Sequence, residues 1–169
     1  MRRIVSHTQG WGEMGVDVAA HTAGSAPMPL KIGDKDYTSG LGTHAPSETV
    51  LLLDGQYERL TAEVGVLPQG GDSVGSVVFK VILDGEEAFD SGVLKEGMAA
   101  VPVDVSLKGV AELRLVVTDA GDGVTCDMAN ASAGGSAAQR MSRSACARLR
   151  RSITTRPPAA AAKNSAIAM

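Results

Sequence analysis

The chain has 169 residues, 44% of them hydrophobic, and a formal net charge of −3 at pH 7, which fits one globular domain with a real core. Aromatic residues make up only 3%, so Trp11, Tyr37, Tyr57, Phe79 and Phe89 are the whole supply of rings for stacking on sugars or bases. No apolar run approaches the roughly 18 residues of a membrane-spanning helix, so no membrane partner is expected.

Residues 1–8 read as an N-terminal extension. Its basic start, Met1-Arg2-Arg3, lacks the apolar stretch of a secretory signal, so localisation stays open. Gln9-Gly10-Trp11-Gly12 follows, and Trp11, the only tryptophan, is either a core plug or a stacking platform. From Pro29 to Thr118 short strands alternate with turn residues, and no segment there reads as a helix. Gly40-Leu41-Gly42-Thr43-His44-Ala45-Pro46-Ser47 reads as a loop between strand-like segments. Its glycines open backbone angles closed to other residues, Pro46 fixes its own and restrains Ala45, and His44 is held to brace the loop or to face a ligand. Leu60, Ala62, Val64 and Val66 alternate with polar residues, and Val77, Phe79, Val81 and Leu83 repeat the device up to the Asp84-Gly85 hairpin signal. Val101, Val103, Val105 and Leu107 form a third set, followed by Leu113, Leu115 and Val117. Strands at this spacing predict an all-β fold, two antiparallel sheets packed as a sandwich. After Ala133 the composition turns to Ala, Ser, Arg, Gly and Pro, so 134–169 reads as a disordered tail. The tail holds seven basic residues and no acidic one. Without interleaved aromatics or a folded basic face, it gives no expectation of a nucleic-acid partner.

Motifs for catalysis are weak. Gly71-Asp72-Ser73-Val74-Gly75 matches a nucleophile pattern, but a Pro-Gln-Gly-Gly loop precedes it and a strand follows, so Ser73 reads as a turn serine. His7, His21 and His44 lack zinc-ligand spacing, and Cys126 and Cys146 read as free thiols. The carboxylates of Asp34 with Asp36 and of Glu86 with Glu87 fall in predicted turns and serve solubility rather than glycoside hydrolysis. Asp119-Ala120-Gly121-Asp122-Gly123 gathers hard oxygen donors suited to calcium, though a solvated turn explains it as well. Asn130-Ala131-Ser132 fits a glycosylation acceptor by accident of composition.

The order of these features resembles the NPCBM-type domain. The resemblance rests on Gln9-Gly10-Trp11-Gly12, Pro29-Leu30-Lys31-Ile32-Gly33-Asp34, and Gly40-Leu41-Gly42-Thr43-His44-Ala45-Pro46-Ser47. It continues through Leu53-Asp54-Gly55, Glu63-Val64-Gly65-Val66, Asp84-Gly85 and the stretch from Val110 to Gly123, and spans about residues 9–133. It implies a jelly-roll-type β-sandwich that binds carbohydrate without catalysis, often with a structural calcium, usually attached to secreted bacterial glycoside hydrolases. Family members end in a run like Asp-His-Ala-Asp-Trp-Ala, whereas Asp127-Met128-Ala129-Asn130-Ala131-Ser132 keeps the aspartate and lacks the histidine and tryptophan. The change of composition at that point also fits a frameshifted C-terminus, which resequencing through the stop codon would decide.

The resulting expectation is a carbohydrate-binding module rather than an enzyme. Its partners would be glycans, galactose-type sugars among them, and a glycoside hydrolase catalytic domain. Trp11, His44, Asp127 and Asn130 are the candidate sugar contacts, and Asp119 and Asp122 the candidate calcium ligands. The competing expectation is a structural or docking sandwich whose altered last strand has lost sugar binding.

Overall fold

A computed structural model describes residues 4–70, 75–121, 123 and 127–132. The strands are β1 (Ile4–Gln9), β2 (Gly15–Val16), β3 (Leu30–Ile32), β4 (Lys35–Tyr37), β5 (Gly40–His44) and β6 (Ser47–Leu52). They continue as β7 (Arg59–Val66), β8 (Ser76–Leu83), β9 (Glu86–Lys95), β10 (Val101–Ser106), β11 (Glu112–Thr118) and β12 (Met128–Ser132). No helix occurs among the described residues. One sheet has the order β1-β6-β11-β8-β9, and the facing sheet β10-β7-β12-β5-β2. From β5 onward the chain crosses between the two sheets at almost every connection, the β8–β9 hairpin excepted, and this gives the expected jelly-roll-type sandwich.

Period-two alternation decides which side chains meet between the sheets. Val64 and Val66 of β7, Val77, Phe79 and Val81 of β8, Val103 of β10, Leu113 and Val117 of β11, and Ala129 of β12 share one buried cluster. Each large apolar side chain removed from water there contributes about 1.5–3 kcal/mol before the entropy of ordering it. The opposite face of the β1-containing sheet carries ion pairs among apolar residues such as Val116 and Ile82. Arg114 pairs there with Glu112 and Glu48, and Lys80 pairs with Glu87 and Asp90. The predicted hairpin between β8 and β9 turns through Asp84 at φ 49° and Gly85 at φ 91°, the positive angles that a tight two-residue turn requires.

The second sheet is clad on its outer face as well, and glycines make this possible. Gly15 pairs with Gly42, Gly42 with Asn130, and Asn130 with Gly65, so one row across β2, β5, β12 and β7 carries three glycines and one asparagine. A Cβ on Gly42 would lie 2.5 Å from Val18 O and from Ala19 Cα, and one on Gly65 would lie 2.2 Å from Ile32 Cγ2. The segment around Val18 and Ala19 and the β3–β4 hairpin therefore lie directly on the sheet. Leu30, Ile32 and Tyr37 form a small cluster of their own there.

Two boundaries differ from the sequence reading. Ile4 to Thr8, set apart as an extension, belong to β1, which pairs with β6 from Ile4↔Leu51 to Gln9↔Ser47. The Gly40–Ser47 loop is mostly strand: β5 occupies Gly40–His44 and only Ala45 and Pro46 make the corner into β6. Gly42 has no positive φ, so it serves close approach, which sequence patterns do not distinguish from turn chemistry. Gly71 to Val74, Asp122, Cys126 and the tail at 134–169 lie outside the described residues.

Candidate functional site

The Ala45-Pro46 corner and the loop after β1 meet at one end of the sandwich. Gly10 N–H donates to Pro46 O at 2.8 Å, and a Cβ on Gly10 would lie 2.8 Å from Pro46 Cδ, so the two segments touch because residue 10 has no side chain. Trp11 follows directly and is 44% exposed. Its ring centroid stands 5.5 Å from that of His44, with the planes tilted by 50°. The core-plug alternative for Trp11 thus gives way to a surface ring supported from one side by a buried imidazole.

The hydrogen bonds around His44 fix its tautomer. Ala45 O can only accept, so His44 Nδ1, 2.8 Å away, carries the proton. In the neutral ring Nε2 is then an acceptor, suited to a ligand hydroxyl. A second set of contacts orders the Trp11 loop from β6. Gln9 Nε2 donates to Trp11 O at 2.6 Å, which turns Gln9 Oε1 toward His7 Nε2 at 2.9 Å. His7 Nε2 must therefore donate, and in the neutral ring its Nδ1 accepts from the Thr49 hydroxyl at 2.8 Å. Thr49, His7 and Gln9 make a polar chain ending on the tryptophan's own carbonyl. In the sequence His7 is one of three isolated histidines. Its signal was the alternation of His7 and Gln9 on one strand.

The other two candidate sugar contacts sit elsewhere. Asp127 is 1% exposed and its Oδ1 accepts the Ser76 N–H at 2.9 Å, tying the entry of β12 to β8. Asn130 is fully buried in the glycine row, where its Nδ2 donates to Lys31 O at 2.9 Å and holds the β3–β4 hairpin down. Neither side chain reaches the surface in this arrangement. The structure brings together Trp11 and His44 and buries Asp127 and Asn130 on other partners. Of the calcium candidates, Asp119 Oδ1 accepts the Gly121 N–H at 3.2 Å within its turn, and Asp122 lies outside the described residues. No three His, Cys, Asp or Glu side chains gather as a metal site among the described residues.

One further polar cluster escaped the sequence reading. The Tyr37 hydroxyl donates to Glu63 Oε2 at 2.7 Å, and Lys35 both pairs with Glu63 and stands 4.9 Å over the Tyr37 ring. Burial, followed by the hydrogen bond to Glu63, pushes the Tyr37 phenol well above its ordinary range. The Lys35 hydrogen bond holds the Glu63 carboxyl below its own. These contacts clamp the β3–β4 hairpin onto β7 and lie away from the tryptophan.

Residues 2–133 match the NPCBM/NEW2 domain. The chain belongs to that family. A CBM51 from Clostridium perfringens GH95, solved with methyl-galactose, superposes on this NPCBM domain with a TM-score of 0.65 at 30% identity, covering 76% of this chain and 90% of that one. The CBM51-2 and INT domains of Clostridium perfringens ZmpB, solved with GlcNAc, give a TM-score of 0.62 at 27% identity, over 75% of this chain and 28% of that one. A Renibacterium salmoninarum protein carrying the name of an endo-alpha-N-acetylgalactosaminidase is 34% identical over 136 residues, 78% of this chain and 9% of its own length. The alpha-1,3-galactosidase B of Akkermansia muciniphila is 36% identical over 112 residues, 64% of this chain and 13% of its own length. The NPCBM domain is thus a carbohydrate-binding module by family and fold, and it corresponds to a small part of these two glycosidases.

Proposed function

We propose that this module binds a galactose-type sugar at the Trp11–His44 pair and holds an attached glycoside hydrolase on glycans that carry it. The observation that carries the reading is the exposed Trp11 ring at 5.5 Å from His44, whose Nδ1 is committed to a backbone carbonyl. The apolar face of a pyranose lies on the indole, and one ring hydroxyl donates to His44 Nε2. The methyl-galactose bound by a structural relative and the galactosidase name of a sequence relative support the sugar class. A shallow site of two side chains binds weakly on its own, because sugar hydroxyls exchange one set of hydrogen bonds with water for another. Tethering to an enzyme raises the effective concentration and supplies the useful affinity.

Calorimetry of the full chain with methyl galactoside tests this reading. Trp11→Ala is expected to weaken binding about tenfold or more, the share of a ring burial worth ~1.5–3 kcal/mol, with an unchanged melting temperature. A folded wild-type chain that binds no saccharide at millimolar concentration would remove the sugar-binding role and favour the docking sandwich. A calcium ion at Asp119 and Asp122 is a subsidiary proposal. Asp119 alone supplies few of the roughly 6–8 oxygens calcium takes, so Asp122 and turn carbonyls would complete the shell. Melting in calcium against chelator checks it, and equal midpoints remove the ion.

A further inference from the structure

At the end of the sandwich where Gly10 meets Pro46, the outer face of the first sheet carries a depression of about 380 Å³, within the ~300–1,000 Å³ range of small-ligand sites. Strand register explains its lining. Thr8 faces Glu48 and Glu48 faces Val116 across β1, β6 and β11, so these three side chains share the face opposite the core. Thr118 lies one alternation further along β11, and Gly10 and Pro46 close the end nearest Trp11. Its end is walled by the Gly10–Pro46 contact, in which the Pro46 ring and the Ala45 carbonyl take the space a residue 10 side chain would fill.

We propose that this depression is a second sugar subsite, holding the next unit of a neutral oligosaccharide whose terminal sugar occupies the Trp11–His44 pair. The proposal rests on the reading of that pair as a sugar site. Continuity comes from the backbone: the Gly10–Pro46 contact forms the depression's end, and the residues on either side of it are Trp11 and the Ala45 whose carbonyl holds His44. The chemistry of the lining selects the ligand class. Thr8 and Thr118 offer hydroxyls, Glu48 offers a charged acceptor for sugar hydroxyls, and Val116 with Pro46 provides an apolar floor for ring C–H groups. Among the described residues no cation lines the depression. The nearby Arg114 is committed to Glu48 at 3.2 Å and Glu112 at 2.7 Å, and Lys80 to Glu87 and Asp90 at 2.8 Å each. Among the described residues, sialylated or sulfated units therefore meet a carboxylate and no free counter-charge. The described lining also has no aromatic residue, so this subsite adds hydrogen bonds to a stacking interaction made at Trp11.

The test is calorimetry of the full chain with methyl galactoside and with neutral galactose-terminated disaccharides linked α or β to the third or fourth hydroxyl. At least one linkage is expected to bind about tenfold tighter than the monosaccharide, the worth of one or two ordinary hydrogen bonds. Thr8→Trp fills the depression from an exposed edge-strand position that tolerates aromatics. It is expected to abolish that gain while leaving methyl galactoside affinity unchanged. Glu48→Gln keeps the shape and should lose part of the gain. Disaccharides that all bind like methyl galactoside, or a gain that survives Thr8→Trp, would overturn the subsite while leaving the ring pair in place. Absence of binding by every probe overturns the ring-pair reading, and the subsite falls with it.

Discussion

Adding one methyl group at Gly65 and at Gly42 tests how the outer cladding is held. Carbon atoms in contact prefer about 3.5–4.0 Å, so a Cβ on Gly65, 2.2 Å from Ile32 Cγ2, must be relieved by more than 1 Å. Ile32 can turn about χ1 or the hairpin can lift, and overpacking of this kind costs about 1–3 kcal/mol. Replacing glycine within a strand returns about 0.5–1 kcal/mol of backbone entropy, so Gly65→Ala should destabilise by about 1–2 kcal/mol. At Gly42 the obstacles are backbone atoms, Val18 O and Ala19 Cα, and that segment is anchored by Asp17 N–H to Gly40 O and Ala19 N–H to Met28 O. It cannot rotate aside without losing such bonds, so Gly42→Ala should cost about 3 kcal/mol or more. Urea unfolding followed by far-UV circular dichroism, with m held constant, reads both values. The decisive arm is Ile32→Ala. In that background Gly65→Ala should become neutral or stabilising, while Gly42→Ala should keep its cost. A Gly42→Ala chain within about 0.5 kcal/mol of wild type, or a Gly65→Ala cost unchanged without the Ile32 side chain, would refute the close-approach account.

Two further outcomes follow from the polar contacts. Glu63 has its folded pKa depressed by Lys35 and Tyr37, so the unfolded chain binds more protons. Its contribution is present above the ordinary carboxylate range and lost as pH falls through the folded value. Glu63→Gln should flatten the decline of melting temperature between about pH 5 and pH 2, and a decline identical to wild type would show that the clamp contributes nothing. Gln9→Ala cuts the chain from Thr49 through His7 to the Trp11 carbonyl. It should increase iodide quenching of the single tryptophan and weaken methyl galactoside binding about threefold, one ordinary hydrogen bond's worth. Quenching and affinity both unchanged would mean that the loop is ordered by the Gly10–Pro46 contact alone.

Much of the sandwich was legible because a half-buried strand writes its burial into a period of two. Val64 and Val66, the Val77–Val81 set, Val103, and Leu113 with Val117 sit at alternating positions in the sequence, and the shared cluster contains them. The cladding was not legible. Gly42 and Gly65 matter for the atoms lying over them, and a glycine needed for close approach looks in sequence like one needed for a turn. The same ambiguity turned β5 into a loop, because two glycines in Gly40–His44 outweighed its strand character. The site was half legible. Trp11 and His44 were singled out as rare residues beside turn formers, but their meeting depends on the Gly10–Pro46 contact, which joins segments distant in sequence. Asp127 and Asn130 were singled out for their polarity, and that polarity is used internally, on the Ser76 amide and the Lys31 carbonyl.

The strand register has a consequence for any longer chain in which this domain sits. β1 runs from Ile4, opposite Leu51, toward Gln9 beside the Pro46 corner, while β12 runs from Met128, opposite His44, to Ser132, opposite Gly40. The two described ends of the sandwich, Ile4 and Ser132, thus both leave it on the side away from the tryptophan. The tryptophan leads, and contact with a glycan surface need not compete with the connection to whatever the domain is built into.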